Sequence, residues 1–136
     1  MRALMATITA ALMMAATASA QDSPDMRGTW TGTTEAVVLD TADYYENDKT
    51  IAEFMAVPVE VVIDQQEGRR FAGRITADKW DKPFVGVLAT KDRILWAEPS
   101  GTVEARLIDA DTLDYCYLRP AEFKQLASCA ELKRQK

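Results

Sequence analysis

Histidine is missing from this chain, and with it go the Ser-His-Asp and Cys-His nucleophile systems and the commonest transition-metal ligand. Ser23, Ser100 and Ser128 sit in no nucleophile elbow, and no glycine-rich loop is spaced to cradle a phosphate. Carboxylates remain for acid–base chemistry. Asp40, Asp43, Glu46 and Asp48 cluster in sequence, as do Asp109, Asp111 and Asp114. Neither spacing fits a Ca²⁺-binding EF-hand, and both read as solvated turn carboxylates. A hydrolase built on two acids would need them about 5–9 Å apart across a cleft. The aromatic side chains are the stronger lead. Tyr44, Tyr45, Trp80, Phe84 and Trp96 are the candidate ligand-binding residues, because large amphipathic rings exposed on loops mark recognition surfaces or lids. The competing reading is that the same rings seal a filled core. No catalytic residue, metal ligand or cofactor is assigned.

The two cysteines, Cys116 and Cys129, match neither a CxxC redox pair nor a zinc motif. They read as a structural disulfide, which suits an oxidising compartment and would contribute about 3 kcal/mol in the loop-entropy picture. The start of the chain agrees. Met1-Arg2 carries one positive charge, residues 3–17 carry none, and Ala18-Ser19-Ala20 offers a small-x-small cleavage site. That is the layout of a secretory signal peptide over residues 1–20, too short and too weakly apolar to span a bilayer. Cleavage after Ala20 would leave 116 of the 136 residues, an arm over residues 21–27 and one domain over residues 28–136. The expected location is the periplasm or the exterior. The net charge of −5 becomes −6 without Arg2, and no concentrated basic surface is present for nucleic acid.

The elements that must position these residues show a period of two from Gly28 onward. Eight strands are predicted over residues 29–39, 57–65, 70–76, 84–90, 93–97, 102–108, 113–118 and 127–134. Thr50-x-x-Glu53 fits a capping box, with Ile51, Phe54 and Met55 as the apolar face of a short helix, and residues 120–126 predict a second helical turn. Residues 66–69, 91–92 and 109–111 are tight turns. The longer links, residues 40–56, 77–83, 98–101 and 119–126, alternate with them. In a meander, alternate links lie at opposite ends, so the long ones would crowd one rim. The expectation is an all-β, eight-stranded antiparallel up-and-down barrel with a single mouth, closed so that no edge is left exposed. By strand parity both cysteines point outward on adjacent strands, giving one cross-strand disulfide. Phe71-Ala72-Gly73 and Phe84-Val85-Gly86 each place a glycine inside a strand, where curvature or close approach is the usual reason.

Gly28-Thr29-Trp30 opening the first strand, a long first loop, eight meandering strands and a basic residue ending the last strand resemble the calycins, and the shortness of the chain makes it more similar to avidin-like barrels than to full lipocalins. The resemblance implies that Trp30 packs against Arg134 as a structural pair at the closed end. It does not carry a ligand over, since the lipocalin helix and the avidin ligand contacts have no match here.

The leading expectation is an exported, non-enzymatic binding protein taking a small apolar or aromatic ligand at the open end. The alternative is a protein-interaction module, such as a periplasmic protease inhibitor that inserts residues 21–27 into its target. A third reading is a barrel isomerase or cyclase, which a buried acid of raised pKa near Tyr115 or Tyr117 would favour. Val37, Val62, Leu95 and Ile108 could supply an outer surface for self-association, although the oligomeric state is left open.

Overall fold

A computed structural model of the chain describes residues 23–40, 51–122 and 124–136. The expected leader, Tyr44, Tyr45 and Thr50 lie outside the described residues. Eight strands follow in order: β1 (Gly28–Asp40), β2 (Ile51–Glu67), β3 (Arg70–Ala77), β4 (Trp80–Leu88), β5 (Arg93–Glu98), β6 (Gly101–Asp109), β7 (Thr112–Pro120) and β8 (Lys124–Arg134). Each pairs antiparallel with its successor, and β1 pairs with β8 to close the barrel. Among the described residues no helix is long and apolar enough to cross a membrane.

The alternation that predicts the strands also sorts the core. Trp30, Val61, Ile63, Ile75, Ile94, Val103, Leu113 and Leu132 are almost fully buried. The intervening Arg74, Arg93, Glu104, Arg106 and Glu131 face water. The strands are tilted and staggered, as closure requires. A row of direct cross-strand partners leaves β2 at Gln65, circles the outer wall through Ala72, Val85, Ala97, Thr102, Leu118, Ala127 and Val37, and regains β2 at Phe54.

The strand ends differ from the sequence reading. The helix expected around residues 50–55 is replaced by strand, because residues 51–56 find backbone partners on β1 from Asp40 to Glu35. Pairing with an existing strand outweighs the modest strand preference of Ala, Glu and Met. The helical turn expected over residues 120–126 is likewise absent, since Lys124, Gln125 and Leu126 pair with β1 and Gln125 and Leu126 also pair with β7. The long link over residues 77–83 shrinks to the turn Asp78-Lys79, and Trp80 pairs with Ala77. Pro83 is accommodated because β5 begins to pair only at Val85, leaving that stretch of β4 an edge. The β5–β6 link reduces to Pro99-Ser100. Short turns therefore occur at both rims, and the expected contrast between a tight end and a ragged end is not what closes this barrel.

Backbone closure and an end plug do that work. The Trp30 ring is fully buried, its Nε1 donates to Met26 O at 3.0 Å, and the Arg134 guanidinium lies 4.2 Å from its centroid. Arg134 also donates to the carbonyls of Arg27, Asp25 and Ala110. Gln66 receives Met26 N at 2.7 Å and donates to Pro24 O at 2.8 Å. Residues 23–27 are thus tied under the barrel, with Met26 as a fully buried plug. Gly28 has a φ of 136°, which L side chains rarely adopt, and the Arg134 side chain packs close to where its Cβ would stand. The Trp30–Arg134 pair implied by the calycin resemblance is present. Gly73 and Gly86 admit close packing: a Cβ on Gly73 would strike the carbonyl of Val62, and one on Gly86 would strike the Phe71 ring.

Cys116 and Cys129 face each other directly across β7 and β8 and form the disulfide, on the outside as parity requires.

Removing the plug should be costly. Trp30→Ala empties the closed end and orphans the Arg134 contact, so chemical unfolding should show a loss of about 3–5 kcal/mol. Asp25 offers a milder check. Hydrogen bonds from Arg27 hold its carboxyl at about 2, below the usual 3.8. A depressed carboxylate stabilises the fold above its unfolded pKa, and that contribution fades as the pH falls from about 4 towards 2. NMR titration should place the Asp25 carboxyl near 2 in the intact chain and closer to 3.8 in Arg27→Ala.

Candidate functional site

Above the plug, β3, β4, β5 and β7 each contribute an inward ring to one aromatic run. Phe84 stacks on Trp96 with centroids 4.7 Å apart, and Trp96 on Tyr115 at 5.7 Å. Phe71 meets Phe84 edge-on at 6.3 Å. All four rings are buried, so the barrel is filled at this height, and the run is the floor of whatever lies above.

Toward the open end the inner wall becomes polar. Continuing the inward parity past Phe84, Trp96 and Tyr117 brings Lys82, Glu98 and Arg119 to the mouth. Lys82 Nζ stands 4.9 Å from the Trp80 ring and 5.9 Å from the Tyr117 ring, within cation–π range. It donates to Ser100 Oγ at 3.4 Å, and Ser100 Oγ shares a hydrogen bond of 3.1 Å with Tyr117 OH. Glu98 accepts from Trp96 Nε1 at 3.2 Å. Burial raises the pKa of Glu98, against the pull of the Trp96 donor and of Lys82. Burial also raises Tyr115; a hydrogen bond with Thr34 opposes this, and the Glu98 charge adds to it. Arg119 contributes an unusual feature: its Nε is buried and makes no hydrogen bond among the described residues. A buried cationic donor without an acceptor is costly in a finished core.

The five aromatic candidates separate. Phe84 and Trp96 are in the buried floor, Trp80 is at the rim with 37% exposure beneath the Lys82 ammonium, and Tyr44 and Tyr45 lie outside the described residues. Lys82, Glu98, Ser100, Tyr117 and Arg119 were not singled out as ligand residues from sequence. The signal was available in the period-two count from Phe84, Trp96 and Tyr117, but Lys82, Glu98 and Arg119 fell in segments read as loops.

Asp109 and Asp111 are engaged at the β6–β7 turn. Asp109 accepts from the backbone N of Asp111, which with Thr112 lowers its pKa, and Asp111 pairs with Arg134 at 3.5 Å. Among the described residues no group of three or more His, Cys, Asp or Glu side chains converges as a metal site.

A closed, eight-stranded meander plugged by a tryptophan–arginine pair at one end is a calycin-like small β-barrel. No protein-family model matches the sequence, and no curated protein matches it significantly. Among solved structures the chain is similar to a redesigned β-barrel, with 12% identity over 81% of this chain and 91% of that one and a TM-score of 0.46. It is also similar to the siderocalin Ex-FABP, described as functioning through dual ligand specificities, with 16% identity over 80% and 73% of the two chains and a TM-score of 0.47. A third is the S-type phycobiliprotein lyase CPES from Guillardia theta, with 11% identity over 82% and 89% and a TM-score of 0.37.

The Glu98 environment has a measurable consequence. A carboxyl whose folded pKa lies above its unfolded value keeps its proton longer in the native state, so its contribution falls as the pH rises through the unfolded value of 4.5. Glu98→Gln keeps an acceptor for Trp96 Nε1 and removes the buried charge. In denaturant titrations at a series of pH values, the variant should lack this alkaline loss and be the more stable protein at neutral pH.

Proposed function

We propose that this is an exported binding protein whose open end takes a small molecule with an aromatic or apolar body and an acidic group. The body would lie over the floor capped by Phe84 and Trp96, against Trp80 and Tyr117. The acidic group would face Arg119 and Lys82. The observation that carries the reading is Arg119 Nε, buried and without an acceptor among the described residues: an anion at the mouth would supply one, and charge-assisted hydrogen bonds are the stronger kind. The disulfide suits an oxidising compartment, in keeping with the leader read in residues 1–20. Tyr44 and Tyr45, in the link joining β1 to β2, belong to the same proposed site.

Intrinsic tryptophan fluorescence should respond when the protein is titrated with aromatic carboxylates. Arg119→Ala should weaken binding of the acids about tenfold or more, in line with a lost hydrogen bond to a charged group, and leave their neutral amides little changed. A panel of such acids that perturbs neither the fluorescence nor the NMR spectrum would overturn the proposal.

One observation favours a second reading, acid–base catalysis on a bound ligand. Glu98 meets the requirement of a partly buried acid of raised pKa near Tyr115. Catalysis predicts that a bound compound emerges isomerised, that the rate follows the Glu98 titration, and that Glu98→Gln binds without converting. Chromatography of recovered ligand decides between the two. The inhibitor alternative finds less support. Over residues 23–27 the arm is hydrogen-bonded beneath the barrel with Met26 in the core, so inserting it elsewhere would unplug the closed end.

A further inference from the structure

The barrel is closed, yet one strand carries a long free edge. β2 pairs with β1 from Ile51 to Ile63, but its pairing with β3 begins only at Glu60 opposite Thr76. Residues 52–59 therefore have no strand on their second side among the described residues. They project past the β3–β4 turn as Ala-Glu-Phe-Met-Ala-Val-Pro-Val, with one charge, and Phe54 is 83% exposed. An unpaired apolar edge is a template for another strand. A second free stretch, on β4 before Val85, contains Asp81, Lys82 and Pro83, the residues with which edges are commonly blunted. β2 has Pro58 only at the far end of its free segment. Among the described residues one edge is thus defended and the other is left open.

We propose that residues 52–56 of β2 pair antiparallel with the same residues of a second copy of this chain, about a two-fold axis at Phe54. The segment complements itself in that register. Ala52 falls opposite Ala56, Phe54 opposite Phe54, and Glu53 opposite Met55, so the only carboxylate of the segment faces a thioether and never its own copy. A register shifted to set Glu53 against Glu53 would oppose like charges in a chain that is already net negative. Pro58, which lacks an N–H, lies outside the five residues that pair. The outer wall supports the same partner. Phe54 is in register with Val37, Ala127 and Leu118, and a two-fold axis normal to the sheet leaves each copy's apolar strip on the same face. The two strips then meet at the axis, where the exposed phenyl rings cover one another in an isologous contact.

Light scattering across a dilution series of the disulfide-bonded chain should show dimers dissociating to monomers on dilution. Phe54→Lys should weaken association at least about tenfold and leave the melting temperature unchanged when both proteins are diluted to monomers, since the side chain is exposed in the single chain. Register is read separately by oxidation: Phe54→Cys should cross-link two chains, and Glu53→Cys should not. A wild-type chain that is monomeric at about 100 µM, a weak-association regime, overturns the proposal, and so does a dimer indifferent to Phe54→Lys. Cross-linking through Glu53→Cys but not Phe54→Cys would overturn the register.

Discussion

The ladder between β1 and β8 is the constraint on which the remaining structure depends. Trp30 pairs with Arg134 at one end and Asp40 with Lys124 at the other, and this seam turns a curled sheet into a wall with an inside and an outside. Once it forms, each strand's period of two becomes a sorting rule: one parity enters the core and the other meets water. The Trp30–Arg134 stack lies at the seam's lower end, joined by hydrogen bonds to the segment before β1. Closure and plugging are therefore one event. A chain without the seam would have no reason to bury Met26.

The interior is graded along the barrel axis. Aliphatic side chains and Trp30 fill the closed end, four rings fill the middle, and Lys82, Glu98, Tyr117 and Arg119 face inward near the open end. Such a gradient separates rigidity from chemistry. The lower part gains its stability from burial that needs no partner, whereas nearer the open end burial raises the Glu98 pKa and Arg119 Nε has no hydrogen-bond acceptor among the described residues. A buried guanidinium nitrogen with no acceptor among the described residues is costly, and the tightly packed floor offsets such a cost.

Strand centres were legible in the sequence because Val59-Glu60-Val61-Val62-Ile63 and Val103-Glu104-Ala105-Arg106-Leu107 alternate clearly. The barrel, the disulfide and the Trp30–Arg134 pair followed from that alternation, cysteine parity and the Gly-x-Trp resemblance. Strand ends were obscured for a physical reason. Residues 51–56 and 80–83 contain Ala, Glu, Met, Asp, Lys and Pro, whose local preferences do not favour strand, and only the neighbouring backbone makes them extend. The same blind spot hid the polar mouth, since Lys82, Glu98 and Arg119 stand at those ends. The aromatic candidates were legible as residue types, but period two cannot distinguish a ring in a floor from a ring at a rim.

The external disulfide has a consequence beyond cross-linking two strands. Cys116 can meet Cys129 only if β7 and β8 are aligned as they are here; sliding β7 by one position would turn Tyr115 and Tyr117 out to water and carry Cys116 inward, and sliding β8 would do the same to Ala130, Leu132 and Cys129. Oxidation thus acts as a proofreading step on strand alignment. It rewards the one frame in which β8 presents a correct edge for β1, so the chemistry of the surrounding compartment helps to choose which side chains reach the mouth.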